Sequence, residues 1–391
     1  MAAQPIAPLD YLARARGLSS LVAAHAAAGD RDRRLPTPMI EALKQAGLFR
    51  MLQPARYGGG ECDPTTFLSV QAALSEVDMS TGWLHGVMGV LAFHLALFSR
   101  AAQDEVWLDD PDALLASSYM PTGKAFPIPG GFQLSGRWGF ASGADHADWF
   151  LLGGVAADES GQPRPMVFLV PRADVQVHDT WCTTGLRGTG SQDLSVAACV
   201  VPEYRAHGLR DRFLGLSPGL SVNRAAIYRV PLPQLLFRVI SSPAIGGLRG
   251  MLEAYLTHNG DRVAVTGAAA SKDPVTQLAC AEAAAELHEM TTMMAANFDR
   301  LLDHAQSGSE PPIPDRMIYR LQASLVTERC CRLGARLFKA TGASGLSTAK
   351  PFGRFLADIQ AARQHAANQY EGHGRALGAA MLGQETEDTL L

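Results

Sequence analysis

The feature that most constrains this chain is a double switch in apolar periodicity. From Pro8 to about Asp109 apolar residues return at helical steps, as in Leu12, Leu18, Leu21 and Val22, with alanine between them. From about Leu114 to Pro202 they come in short runs, Phe132 to Trp138, Trp149 to Val155, Met166 to Val170 and Leu194 to Val201, separated by glycine, proline and polar turns. After a connection rich in glycine and proline, Gly215 to Pro233, long Ala-rich amphipathic stretches take over: Ile245 to Asn259, Pro274 to Gln306, Pro314 to Thr341 and Pro351 to Leu382. A 3.6-residue repeat buries one face of a helix and a two-residue repeat one face of a strand, so neither pattern can stand in for the other. The chain is therefore expected to be α+β and mostly α. It should have an N-terminal helical domain (1–113), a central β domain built as a barrel or sandwich (114–214) and a C-terminal four-helix bundle (215–391).

Local signals place the joints. Pro36 and Pro38 suit the first turn of a helix that runs to Leu48, Asp63 can cap a helix with Pro64 at its first position, and Ser80 opens an apolar helix to Phe98. That last segment carries His85, His94 and many small residues, which suits a buried helix better than a membrane span. Met1 to Ser20 is broken by Asp10, Arg14 and Arg16, so no secretory signal is expected.

Composition narrows the partners. With 34 Lys plus Arg against 38 Asp plus Glu, the net charge is −4, which argues against nucleic acid or an anionic membrane as the main partner. A 47% hydrophobic content excludes disorder and provides for a large core. The six cysteines form no C-x-x-C pair and have no zinc-like histidine spacing, so reduced thiols and a cytoplasmic location are expected, with no metal site.

Several residues could carry chemistry. Gly185-Leu-Arg-Gly-Thr-Gly-Ser191 precedes a strand, not a helix, and lacks a Walker lysine, so it is no Rossmann or P-loop site. It reads either as a cluster of turns or as a loop whose amides and Ser191 approach a ligand closely. Trp138-Gly-Phe-Ala-Ser-Gly143 either ends a strand or offers Ser142 and its neighbouring amides to the edge of a heterocycle. His365 falls at i+7 from Asp358 and at i+4 from Ala361, on one stripe of an expected helix; it is a packed histidine or an acid/base group in an alanine-lined pocket. His94 reads as a core histidine, with its own partner, in an apolar helix. Arg262 is either a cation at a helix end or a phosphate contact.

Together, the helix–strand–helix order, Pro54-Ala-Arg-Tyr-Gly-Gly-Gly-Glu61, the Gly185 to Ser191 loop and Val201-Pro202 resemble the acyl-CoA dehydrogenase fold over nearly the whole chain. Ser117-Ser-Tyr-Met-Pro-Thr-Gly-Lys-Ala125, Ser135-Gly-Arg-Trp-Gly-Phe-Ala-Ser-Gly143 and Arg354-Phe-Leu-Ala-Asp-Ile-Gln-Ala-Ala-Arg-Gln-His365 are similar, more narrowly, to the oxygenase components of two-component flavin-dependent monooxygenases, p-hydroxyphenylacetate hydroxylase and secosteroid hydroxylase among them.

The resemblance implies a central β-barrel between the two helical parts and a homotetramer, a dimer of dimers built through the bundle. It implies O₂ and a reduced flavin as cofactors, FMNH₂ favoured over FADH₂, with the flavin delivered by a separate reductase. A C4a-hydroperoxide would then oxidise an aromatic or heteroaromatic small molecule. By the same resemblance, His365 and Ser142 are catalytic, with Ser142 at the flavin N5 edge. His94, Ser117 and Ser118 lie on the substrate side. Trp138, Ser142, Gly143, Arg187, Ser191 and Arg262 contact the cofactor, Arg262 through its phosphates. The alternatives are an FAD-containing dehydrogenase of the same fold, an N- or S-oxidising relative, and a non-catalytic scaffold. A dehydrogenase needs a carboxylate base, and the matching helix offers His365 in its place.

Overall fold

The computed structural model describes residues 8–157, 161–208, 211, 215–260, 262–263 and 267–385. The expected domain boundary after residue 214 falls outside the described residues.

Six helices come first: α1 (Pro8–Gly17), α2 (Ser19–Asp32), α3 (Thr37–Gln45), α4 (Pro64–Val77), α5 (Met79–Ala96) and α6 (Arg100–Trp107). Asp63 caps α4 as expected, its carboxylate accepting the Thr66 N–H at 2.8 Å. α5 starts just before Ser80 because Asp78 is its cap, accepting the Thr81 N–H at 2.8 Å and the Thr81 hydroxyl at 2.7 Å. α5 is buried along nearly its whole length, His85 and His94 included. Among the described residues no helix is long and apolar enough to cross a membrane.

Seven strands follow: β1 (Leu115–Ile128), β2 (Gly131–Ala141), β3 (Trp149–Ala157), β4 (Pro163–Pro171), β5 (Gln176–His178), β6 (Gln192–Pro202) and β7 (Ala206–Gly208). They form one sheet in the order β5-β6-β2-β1-β3-β4-β7, antiparallel except for the β1–β3 pair. Phe132 of β2 and Phe168 of β4 have two strands, β1 and β3, between them in this order, yet their ring centroids are 5.4 Å apart. A flat sheet would hold them ~14 Å apart at the usual strand spacing. The sheet therefore curls over its own face into a barrel-like layer whose core holds Leu134, Trp138, Phe150 and Phe168.

The rest is helical: α7 (Leu232–Gly260), α8 (Pro274–Ser307), α9 (Ile313–Ala340), α10 (Phe352–Arg363) and α11 (Tyr370–Met381). Two expectations are corrected here. α7 begins well before Ile245 and runs through Pro243, which punctuates the sequence like a helix end. A proline at 243 leaves the Val239 carbonyl without its helical N–H. The buried side chain of Gln71, from α4, donates to that carbonyl at 2.9 Å. The second correction concerns the stretch from Pro351 to Leu382, which is two helices. α10 stops at Arg363, where Asn368 Nδ2 donates to the Ala362 carbonyl at 2.8 Å and Gln369 Nε2 to the Arg363 carbonyl at 3.0 Å. These side chains satisfy carbonyls that a continuing helix would have used. His365 consequently sits beyond the helix, in extended backbone, and not on the stripe of Asp358 and Ala361.

Candidate functional site

The sheet meets the helices at the end of β2. Ser142 and Gly143 follow its last residue, and Gly143 takes a left-handed φ of 74°. A Cβ there would stand 2.6 Å from Met88 Sδ of α5, so this turn lies flush against the helix. The Gly143 N–H donates to the Thr189 carbonyl at 2.9 Å, tying the turn to the 185–191 loop. Leu186 and Gly190 in that loop both have positive φ, 51° and 50°, and between them Arg187–Thr189 forms a tight 3₁₀ turn. The loop leads into β6, as a strand-preceding loop should.

The hydroxyls of Ser142, Thr189 and Ser191 meet here. Ser142 Oγ is 2.7 Å from Ser191 Oγ, and Ser191 Oγ is 2.7 Å from Thr189 Oγ1. From α5, Trp83 Nε1 donates to Ser142 Oγ at 3.1 Å. The Trp83 ring meets the His365 ring edge to face, with centroids 6.1 Å apart. Three elements distant in sequence thus converge: the β2 turn, α5 and the segment after α10.

His365 is exposed to solvent on one side and packed against protein on the other. Burial pushes its pKa down, to about 4, so the ring is neutral near pH 7. Its Nδ1 accepts the Ala367 N–H at 3.1 Å. In a neutral imidazole whose Nδ1 accepts, the proton is on Nε2, and the ring offers an N–H donor.

Beside Ser142 the chain also offers an apolar surface. Phe140 is 67% exposed at a left-handed φ of 63°, and it stands edge-on to Trp181. Backbone strain at a bulky residue is held in place only by its surroundings and clusters at functional sites. The groups this corner offers to a planar ring system with one polar edge are the exposed Phe140 ring, the Trp83 indole and the Ser142 hydroxyl. A small hollow beside Met88, lined by Phe49, Gln53, Ala92 and Leu114, holds about 10 Å³. That is room for about one water, far too little for a flavin.

Not every residue singled out in the sequence joins this group. Trp138 is turned into the barrel core, 1% exposed, with its indole N–H on the Gly153 carbonyl at 2.6 Å. It supports the β2 turn from behind, a correction to its expected cofactor contact. Arg187 is committed to the Asp30 and Thr183 carbonyls at 2.9 and 2.8 Å. Arg262 donates to the Thr341 and Ala340 carbonyls at 3.0 and 3.1 Å, at the C-terminal end of α9, where the helix dipole favours a cation. His94 lies three turns beyond Trp83 on α5, ~16 Å along the axis at 1.5 Å per residue. Its Nδ1 is 2.7 Å from Tyr119 Oη. Ser118 donates to the Gly139 carbonyl at 2.8 Å, and Ser117, one residue earlier on β1, is half-buried.

Other members were not foreseen. Trp83 is a large donor in a run of small residues, and that contrast was its only signal. Thr189 was visible only as a hydroxyl in a glycine loop. Asp358, noted in the sequence only for its place on the expected His365 stripe, is buried on α10 and accepts the Leu186 N–H at 2.6 Å. Burial, and then the charge of Asp78, push its pKa up to about 8.

Residues 15–110 match the family model of the acyl-CoA dehydrogenase N-terminal domain, and residues 238–370 that of the acyl-CoA dehydrogenase C-terminal domain. The chain is 35% identical over 362 residues to the flavin-dependent monooxygenase oxygenase subunit HsaA of Rhodococcus jostii (strain RHA1), covering 92% of this chain and 94% of that protein. It is 31% identical over 383 residues to the FADH₂-dependent resorcinol hydroxylase oxygenase component of Rhizobium sp. (strain MTP-10005), covering 95% and 94%. The crystal structure of 3-HSA hydroxylase from Rhodococcus sp. RHA1 superposes with a TM-score of 0.94 at 33% identity, covering 98% of this chain and 99% of that one. The chain belongs to the flavin-dependent monooxygenases built on the acyl-CoA dehydrogenase fold, as an oxygenase subunit.

Proposed function

We propose that this subunit takes a reduced flavin from a separate reductase and uses O₂ to hydroxylate a phenol-type aromatic substrate. The overall balance is RH + O₂ + FlH₂ → ROH + H₂O + Fl, where Fl is the flavin. One observation carries the reading: Trp83 joins the Ser142 hydroxyl, to which its indole N–H donates, to the ring of His365, which solvent reaches. The flavin, when bound, supplies the electrons that activate O₂. Ser142 would take the N5 edge of the ring, and the apolar Trp83 and Phe140 nearby would help to exclude water from it. His365 offers its Nε2–H to an oxygen at the reacting centre, and its Nδ1 bond to Ala367 fixes the ring for that role.

The resorcinol-hydroxylating relative supports a phenol as substrate, and its FADH₂ dependence makes FADH₂ as good a candidate as FMNH₂. Ser117, Ser118 and His94 belong on the substrate side of this reading, and Arg187 and Arg262 at its periphery. A homotetramer, a dimer of dimers, is supported by the apolar residues that α8 leaves exposed, Val275, Leu278 and Met293. The free cysteines, four of the six buried, suit a reducing cytoplasm.

The test is anaerobic titration with FMNH₂ and with FADH₂, followed by O₂ uptake and product analysis with a panel of phenols. Expected are reduced-flavin binding and a phenol whose hydroxylated product appears only when a reductase supplies the flavin. No affinity for either reduced flavin, or reduction of a bound flavin by acyl-CoA, would replace this reading with the scaffold or the dehydrogenase.

A further inference from the structure

The hydroxyls around Ser142 have directions that follow from counting protons. A serine or threonine hydroxyl has one proton to donate and two lone pairs to accept with. Thr189 Oγ1 is 2.8 Å from the Leu186 carbonyl, which can only accept, so the Thr189 proton is committed there. Ser191 Oγ is 2.7 Å from Thr189 Oγ1, and with no second proton on Thr189, Ser191 is the donor. The Ser191 proton is then used, so Ser142, 2.7 Å away, donates to Ser191. Trp83 Nε1 can only donate, and it occupies one lone pair of Ser142 at 3.1 Å. A single lone pair is left on Ser142. Toward a ligand this hydroxyl accepts and does not donate.

We infer that this directed row makes Ser142 a selector of flavin redox state, with Thr189 and Ser191 as the residues that set its direction. The inference rests on the proposed contact between Ser142 and the flavin N5 edge. A reduced flavin carries a hydrogen on N5 and can donate to Ser142. An oxidised flavin presents a lone pair at N5, and two facing lone pairs make no hydrogen bond while both lose water. Thr189 and Ser191 are 1% and 5% exposed, so solvent has little access to reverse the row. A subunit that receives its flavin reduced and must release it oxidised gains from this asymmetry at both ends of the cycle. Thr189 and Ser191 act through Ser142 and are positioning residues.

The test compares dissociation constants for oxidised FMN and FAD with those for their reduced forms, the latter measured anaerobically, in the wild type and three variants. Ser191→Ala removes the acceptor of the Ser142 proton. Thr189→Val releases the Ser191 proton, so that Ser191 can donate to Ser142. In both variants Ser142 is free to donate to an oxidised N5. The ratio Kd(oxidised)/Kd(reduced) should fall by about two- to tenfold, mainly through tighter oxidised-flavin binding, the range expected for one net hydrogen bond. Thr189→Ser keeps the hydroxyl and should keep the wild-type ratio. An unchanged ratio in both Ser191→Ala and Thr189→Val, or equal weakening of both redox states, would overturn the inference and leave the flavin reading intact. A wild type that binds neither redox state would overturn both. Because the two variants reach the same hydroxyl by different routes, failure of one to fold leaves the other decisive.

Discussion

Asp358 Oδ1 accepts the Leu186 N–H at 2.6 Å, and through this bond α10 holds the start of the loop that carries Thr189 and Ser191. The packing around it is close: a Cβ on Gly185 would stand 2.2 Å from the Ala357 carbonyl oxygen. Asp358 is 2% exposed, and Asp78 at the start of α5 is 3% exposed. Burial raises the pKa of each, and Arg354 opposes the rise in both. Asp78 is stabilised as an anion by two donors from Thr81, whereas Asp358 has one donor, so the proton of this pair rests on Asp358.

Such a proton makes stability depend on pH. The Asp358 pKa rises from 3.8 to about 8 on folding, so the native state binds more protons than the unfolded one within that window. Its favourable contribution is complete below the unfolded value and is lost as pH rises through the folded one, by up to about 1.4 kcal/mol per pH unit for one whole proton. Asp358→Asn keeps an oxygen for Leu186 and does not titrate. Thermal melts across the window should show a falling Tm in the wild type and a flatter profile in the variant. Parallel profiles would assign the titration to another group.

The Gln71–Val239 contact makes a second prediction. The Gln71 side chain replaces the hydrogen bond that Pro243 denies to α7. Gln71→Met keeps most of the length but leaves a buried carbonyl unsatisfied, at a cost of about 1–3 kcal/mol. In a Pro243→Ala background the alanine N–H can return to Val239, so the same substitution should cost less. Denaturant melts of the four proteins in this cycle give the coupling directly. Equal costs in the two backgrounds would mean that Gln71 acts through packing alone.

What could be read from the sequence was mostly local. The Asp63–Pro64 start of α4, the buried character of α5 and the switch from helix to strand near Leu114 depend on residues within a few positions of one another. β1 was harder to outline, because Met120, Pro121 and Thr122 in its middle are all exposed and interrupt its alternation. The continuity of α7 depends on Gln71, 168 positions from Val239. Ser142 was singled out by its motif, but the direction of its hydroxyl depends on Ser191, 49 positions away, and on Trp83, 59 away. The place of His365 was missed for a related reason: Asn368 and Gln369 end α10 by folding back on it, and the alanine-rich sequence around them continues to look helical.

His365 carries the sharpest prediction about chemistry. With Nδ1 accepting from Ala367, the ring has its Nε2–H to offer in the proposed role, and that donor persists whether the ring is neutral or protonated. His365→Ala should lower hydroxylated product per O₂ consumed, on the order of 10² if the group contributes as positioned acid/base residues do, while flavin affinity changes little. His365→Gln retains an N–H donor and should recover part of the yield. A residue working as a base with a near-neutral pKa would behave differently: glutamine would restore nothing, and the wild-type yield would climb through roughly pH 6 to 8 as the imidazole lost its proton. With the pKa pushed down to about 4, the wild-type yield should instead be level across that range. Product yield and H₂O₂ release, measured against pH in the wild type and both variants, separate the two roles. A climb through neutrality that is absent from His365→Gln would establish the base and refute the donor.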